Sequence, residues 1–471
     1  MQVSMAKNVF ETDYLIIGAG ASGMAFADII LSESDASMII ADRFHKPGGH
    51  WNLAYSFVKL HQPSAYYGVS STELGEDGLD ETGFNKGLRK LASGAAIKAY
   101  YDDIMRHKFI PSGRVKYFPL CEYTGDGELK SILTGDVFKV VVNRKIVEAN
   151  HMKTKVPATH TPNFKVAPEV QFIPVNDLPQ ISAPPSGFVI IGGGKTGVDA
   201  CLWLLEHGVD PDKITWIISR DAWFTDRRNL QPTKEHLKYF LNDRVAQFVA
   251  LEQAESIPDL FDRLEEGGAL VRIDRNVRPK MFRGATISRL ELEQLRRIKN
   301  VVRQGHVKHI EKERTVLEKG TIANDPGQVF VDCSANALDH SEMKPVFSGN
   351  TITPQTVRGA QLVFSAAFIA HIEVAYSDER LKNDICQVVP IPNHDTDWIR
   401  MLAGTMRNQQ KWRRDPELTA WLHSNRLDGF SHLVADISEH DEEHQEILRR
   451  FRTTIKPAMN KLKKFTIELD E

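Results

Sequence analysis

A short apolar run, Tyr14 to Ile17, stops at a cluster of glycines, and beyond it Met24, Ala25, Ile29 and Leu31 recur at roughly helical spacing. A second run, Ser37-Met-Ile-Ile-Ala, closes at Asp42. The pattern predicts strand, tight turn, helix and strand. Residues 46–80 are rich in Gly, Pro, Ser and Tyr and read as loops that wrap something. A helix is predicted over 94–108, and strands over 114–121 and 137–148, with Gly125-Asp-Gly as a hairpin turn. Prolines crowd 150–187, which reads as an extended connector. Then the opening pattern returns in Phe188-Val-Ile-Ile, three glycines, a helical stretch and the run Ile214-Thr-Trp-Ile-Ile. Residues 233–300 are charged and mostly helical in pattern, Val329-Phe-Val-Asp reads as a short strand, and Gln361 to Ala375 is apolar. From about 400 onward the chain favours polar helices, with Pro416 and Pro457 as expected interruptions. The basic run Lys461–Lys464 reads as a solvated helix face.

Composition narrows the class. The 471 residues carry a formal charge of −3, with 42% hydrophobic and 26% charged residues, which argues against bulk attraction to nucleic acid. No window approaches 18 uninterrupted apolar residues, so no membrane span is expected. Residues 1–20 lack a signal-peptide core, and Cys121, Cys201, Cys333 and Cys386 are scattered without a CxxC. A disulfide framework and a Cys-based zinc site are excluded, no metal site is predicted, and a reducing, cytoplasmic setting is expected.

Chemistry enters with the glycines. Gly18, Gly20 and Gly23 form G-x-G-x-x-G around Ala21 and Ser22, with Asp42 at the end of the second strand. The glycines serve a tight turn, close approach of backbone to a pyrophosphate, and helix–strand packing; the acid suits a ribose diol. Gly192, Gly194 and Gly197 repeat the spacing around Lys195 and Thr196, but there the second strand runs Ile217-Ile218-Ser219-Arg220. An arginine at that place accommodates a 2′-phosphate. The charge reversal predicts a dinucleotide with a bare ribose in the first unit and NADPH in the second, with Arg227 as a further phosphate contact. A P-loop is ruled out, because position 189 is Val where that pattern needs Gly.

Two such units in one chain suggest hydride traffic between nicotinamide and flavin. The absent CxxC removes the flavin disulfide reductases. Gly48-Gly49-His50-Trp51 then resembles the Gly-Gly-x-Trp of class B flavoprotein monooxygenases: flavin-containing monooxygenases, N-hydroxylases and Baeyer–Villiger enzymes. The resemblance covers most of residues 10–375. It implies an α/β fold, an FAD-binding Rossmann-like domain with an inserted NADPH-binding Rossmann-like domain and a helical C-terminal extension. The expected boundaries are 1–155 and 329–400 for the FAD domain, 156–186 for the connector, 187–328 for the NADPH domain and 401–471 for the extension. The implied reaction is oxygenation of a small organic substrate by O2 through a flavin C4a-peroxide; the alternative is NADPH-dependent reduction of a small acceptor such as a quinone. The chain departs from the family in lacking the Baeyer–Villiger signature before its second fingerprint, and Asp332-Cys-Ser-Ala stands where the family has an A-T-G-like segment.

His61 and Gln62 stand where relatives place a polar residue near the flavin, so they are the catalytic candidates, with a structural polar pair as the equal alternative. Arg43, Gly49, His50, Trp51 and Ser365 join the FAD-binding candidates. Tyr66, Tyr67 and Trp223 are substrate-pocket candidates, with plain packing as the competing account. Homo-oligomerisation is left open.

Overall fold

The computed structural model describes residues 9–76, 78–152, 154–335 and 342–470. Two parallel sheets organise it. In the first, five parallel strands lie in the order Thr351–Ile352, Val137–Val147, Val9–Ile17, Met38–Asp42 and Val115–Pro119. The hairpin Cys121–Gly125/Glu128–Ser131 joins antiparallel to the long strand, turning at the predicted Gly125-Asp-Gly. Met38–Asp42 is buried on both faces, which is why its sequence is an apolar run and not an alternation. Helix Ala21–Glu33 follows the central strand and lies against Leu362–Ala375, a helix apolar almost all round because both flanks are covered.

The second sheet repeats the plan, with Phe172–Pro174, Val329–Asp332, Phe188–Ile191, Ile214–Ile217 and Val301–Val302 all parallel. Helix Lys195–Glu206 follows its glycine turn. The expected boundaries shift here. Phe172–Pro174, assigned to the connector, is the outer strand of this sheet. Val329–Asp332, expected to return the chain to the first unit, pairs instead with Phe188–Ile191. Prolines mask the first of these because Pro174 sits at the strand's end, where its missing N–H is tolerated.

Residues 222–287 also hold a three-stranded sheet of Leu270–Val271, Ala222–Asp226 and Met281–Ile287, in a stretch partly read as helical. Helices Leu237–Gln253 and Ile257–Glu266, whose charged outer faces dominate the composition, both lie between its first strand in sequence, Ala222–Asp226, and Leu270–Val271.

The extension is helical as expected. Pro416 opens helix Pro416–Ser424, where a missing N–H costs nothing. Pro457, expected to interrupt, lies inside the continuous helix Glu442–Glu468. Burial of Ala458, Leu462 and Phe465 against Phe248, Leu251 and Trp398 outweighs the proline penalty of ~3 kcal/mol. Lys463 and Lys464 face solvent, and Lys461 donates to the Ala254 carbonyl at 2.7 Å. No helix among the described residues is long and apolar enough to cross a membrane.

Candidate functional site

The first glycine turn is built to expose backbone. Gly18 adopts φ +108°, and a Cβ on Gly23 would stand 1.9 Å from the Gly18 carbonyl oxygen, so neither position admits another residue. The helix opens on Gly20 without a side-chain cap, leaving the N–H groups around Ala21 and Ser22 for an anion. The Gly-Gly turn lies directly on this loop: the Gly48 N–H donates to the Ala19 carbonyl at 2.8 Å. A Cβ on Gly49, itself at φ +57°, would come within 3.0 Å of the Gly20 Cα. Asp42 is buried at the strand end, where its carboxylate accepts from the Ala19 N–H (2.5 Å) and the Phe44 N–H (2.8 Å). Burial raises its pKa, and those two N–H groups pull it back.

From the same turn Trp51 donates its Nε1–H to the Tyr67 hydroxyl at 2.7 Å, and Tyr67 meets Tyr101 edge-on. His50 packs beside the Trp51 ring, and burial pushes its pKa down to about 4, so it is neutral near pH 7. Arg43 is exposed and rests over Phe44.

The second turn is equivalent at two glycines and different at one. A Cβ on Gly197 would lie 2.1 Å from the Gly192 carbonyl oxygen, as in the first unit, but a Cβ on Gly194 would meet nothing within 4 Å. Lys195 pairs with Asp199 one turn on, and Asp199 also accepts from the Tyr55 hydroxyl at 2.6 Å. Tyr55 belongs to the loop after Trp51, so the two units touch beside Lys195 and Thr196.

His61 sits at that junction. Its Nδ1 accepts from the Thr286 N–H at 3.3 Å, and its carbonyl accepts from the Thr286 hydroxyl and from Arg227 Nε (2.8 Å). Burial, followed by the charges of Lys195 and Arg227, pushes the ring's pKa down to about 3. The ring is therefore neutral, with its remaining proton on Nε2. Across the junction Ala360 takes a left-handed φ of 59°, and its Cβ faces Gly284 two residues before Thr286. Gln62 is half-buried beside His61.

Arg220 is met by an arginine the sequence reading missed. Arg220 Nη2 donates to Asn393 Oδ1 at 3.0 Å, and Arg283 donates to the same oxygen from Nε (3.2 Å) and Nη2 (2.8 Å). Burial and the Arg220 charge lower the Arg283 pKa. Arg283 lies on strand Met281–Ile287, and only the pairing of that strand with Ala222–Asp226 brings it to the end of the second sheet.

Two of the cofactor-binding expectations fail. Arg227 is fully buried and donates to His61, Asn85, Thr286 and Glu291, so its guanidinium is committed to the fold and not to a phosphate. Ser365 is also fully buried: its hydroxyl donates to the Gln361 carbonyl (2.8 Å) and accepts from the Val357 N–H (3.1 Å), which locks a helix start and faces no cofactor. Of the substrate-pocket candidates, Trp223 is fully buried core, stacked on Phe261 and flanked by Arg272, as the packing account has it. Tyr66 and Tyr67 are buried as well, Tyr66 against Phe430 with its hydroxyl unpartnered among the described residues, and Tyr67 under Trp51. No cluster of His, Cys, Asp and Glu that could hold a metal occurs among the described residues.

No family model matches the chain. The uncharacterized protein Rv2000 of Mycobacterium tuberculosis is 46% identical over 459 residues, spanning 98% of this chain and 85% of that protein. Mb2023 of Mycobacterium bovis, also uncharacterized, matches to the same extent. Similar solved structures include an open form of cyclohexanone monooxygenase (13% identity, 78% of this chain and 87% of that one, TM-score 0.48). They also include an oxidized steroid monooxygenase bound to NADP (13%, 79% and 86%, TM-score 0.48). A bacillithiol disulfide reductase from Staphylococcus aureus matches at 12%, over 78% of this chain and 100% of that one, with TM-score 0.43.

Proposed function

The chain belongs to the family of these mycobacterial proteins, and we propose that it is an FAD-dependent, NADPH-using oxidoreductase of the monooxygenase kind, acting on a small organic substrate. The observation that carries this reading is the contrast in charge beside two turns of the same strand–glycine–helix plan. One ends beside a single buried carboxylate, the other beside two guanidinium groups that no carboxylate among the described residues pairs with.

The residues present fit both groups. FAD would lie with its pyrophosphate over Gly18, Gly20, Ala21, Ser22 and Gly23, with Gly49, His50 and Trp51 on its far side and Asp42 toward the adenosine ribose. NADPH would lie over Gly192, Gly194, Lys195, Thr196 and Gly197, where a Cβ on Gly194 would enter open space, with its 2′-phosphate between Arg220 and Arg283. Bound FAD would supply two-electron transfer from NADPH and onward reaction with O2.

The chain's own part is binding, orientation and water exclusion. Lys195 is ion-paired with Asp199, which also accepts from Tyr55, so the nucleotide turn is tied to the other unit. His61 is held by Thr286 as a neutral donor, so it offers a hydrogen bond from Nε2 without taking up a proton. Trp51, Tyr67 and Tyr101 form an apolar wall that keeps water from one side.

Oxygen uptake measured together with NADPH oxidation tests the reading. A monooxygenase consumes one O2 per NADPH and places one oxygen atom in the product of an accepted substrate. An enzyme that oxidises NADPH with every acceptor supplied and never with O2 is the acceptor reductase instead.

A further inference from the structure

Three donor bonds from two cationic side chains end on one neutral oxygen, Asn393 Oδ1. Arg220 comes from the end of the second sheet and Arg283 from the neighbouring strand, while Asn393 belongs to neither. It lies on the segment between helices Glu379–Ile385 and Asp397–Trp412. That segment is fixed from two sides. Asp397 accepts from the N–H groups of Asn393 (2.9 Å) and His394 (2.7 Å), and His394 bridges to Met281, two residues before Arg283. The carboxylate nearest in sequence, Asp221, is engaged by Arg303 at 3.0 Å and not by Arg220. Among the described residues no acid neutralises either guanidinium.

Two like charges brought together cost free energy unless an anion joins them. A single amide oxygen orients both guanidiniums without cancelling their charge. We propose that Asn393 is a specificity-determining residue for the nucleotide: it keeps Arg220 and Arg283 poised around the place of a ribose 2′-phosphate, and its amide turns to offer Nδ2–H when the phosphate arrives. The inference rests on the NADPH reading above and goes beyond it, because it assigns part of nucleotide selection to a residue outside the nucleotide-binding unit. An aspartate at this position would fill the site with its own charge, forming ion pairs with both arginines and excluding the phosphate.

The test is calorimetric titration of NADP+ and NAD+ into the purified full-length protein with its flavin bound, for the wild type and four variants. Asn393→Asp is expected to weaken NADP+ by about tenfold or more while changing NAD+ by less than about twofold. Asn393→Ala removes both the poising oxygen and the amide N–H without adding charge and is expected to weaken NADP+ by about threefold to fivefold, with NAD+ again changed by less than about twofold, so its loss reports the poising and the larger loss in the aspartate variant reports the added charge. NADP+ binding at wild-type strength in either Asn393 variant, or losses that fall equally on NADP+ and NAD+, overturns the proposal. Arg220→Ala and Arg283→Ala separate it from the reading beneath it: both are expected to weaken NADP+ selectively. If neither does, the NADPH assignment fails together with the role of Asn393; if both do while Asn393→Asp is silent, only the role of Asn393 fails.

Discussion

A Cβ at Gly23 would stand 1.9 Å from a backbone oxygen, whereas one at Gly194 would meet nothing within 4 Å. The two glycines therefore predict different failures. Gly23→Ala displaces a helix from its strand, and the variant is expected to lose flavin and fold poorly. Gly194→Ala keeps its melting temperature within a degree or two, because the site has room and an ordinary backbone, and instead loses nucleotide affinity by about tenfold. Thermal melts beside nucleotide titrations check both. His61 gives a pH prediction. Its folded pKa of about 3 lies below the ordinary value, so the unfolded chain binds the extra proton between these values and stability falls as pH drops below about 6.5. Comparing wild type with His61→Gln cancels other groups, and the wild type is expected to lose about 2 kcal/mol more between pH 7 and pH 5. Equal losses in denaturant melts would contradict the neutral, buried ring. The glycines and acids were legible because spacing alone dictates them. Arg283 and Asn393 were not, because only tertiary pairing brings them to Arg220, and Arg227 misled because a buried arginine and a phosphate-binding one look alike in a sequence.

At the scale of elements, the extension clamps the loop that leads away from His61. Arg426 donates to the carbonyls of Ala65 (2.7 Å), Tyr67 (2.8 Å), Val69 (2.5 and 3.0 Å) and Thr72 (2.8 Å). Asp428, two residues on, accepts from Arg358 at 2.6 Å, just before Ala360. Arg426→Ala is expected to cost about 3–5 kcal/mol, at somewhat under 1 kcal/mol per lost bond, and to raise hydrogen exchange selectively over residues 64–73. Uniform exchange changes would mean the clamp is not local. Pro457→Ala is expected to stabilise by about 1–2 kcal/mol, the helix-interior penalty less the chain entropy that proline removes. The apolar runs predicted the central strands well, since burial on both faces leaves no other composition. Met281–Ile287 escaped because Arg283, Gly284 and Thr286 interrupt its apolar run, and Gly284 takes φ +68° there.

At the scale of the molecule, the repeated strand–glycine–helix pattern does correspond to two parallel sheets of one plan. The seam between them was not legible: Tyr55 with Asp199, His61 with Thr286 and Asn85 with Arg227 join residues 144, 225 and 142 positions apart, several of them in loops without periodicity. The tail, unassigned in the sequence, covers the helices of the second unit and reaches back to the first. On the proposed reading, one turn holds FAD and the other brings NADPH to it. The visible spectrum of the purified protein, recorded without oxygen before and after NADPH, tests that most directly. The account predicts a yellow protein whose flavin band bleaches with NADPH and bleaches far more slowly with the same concentration of NADH. A colourless protein that takes up no FAD, or a yellow one that NADPH leaves unchanged, would contradict it.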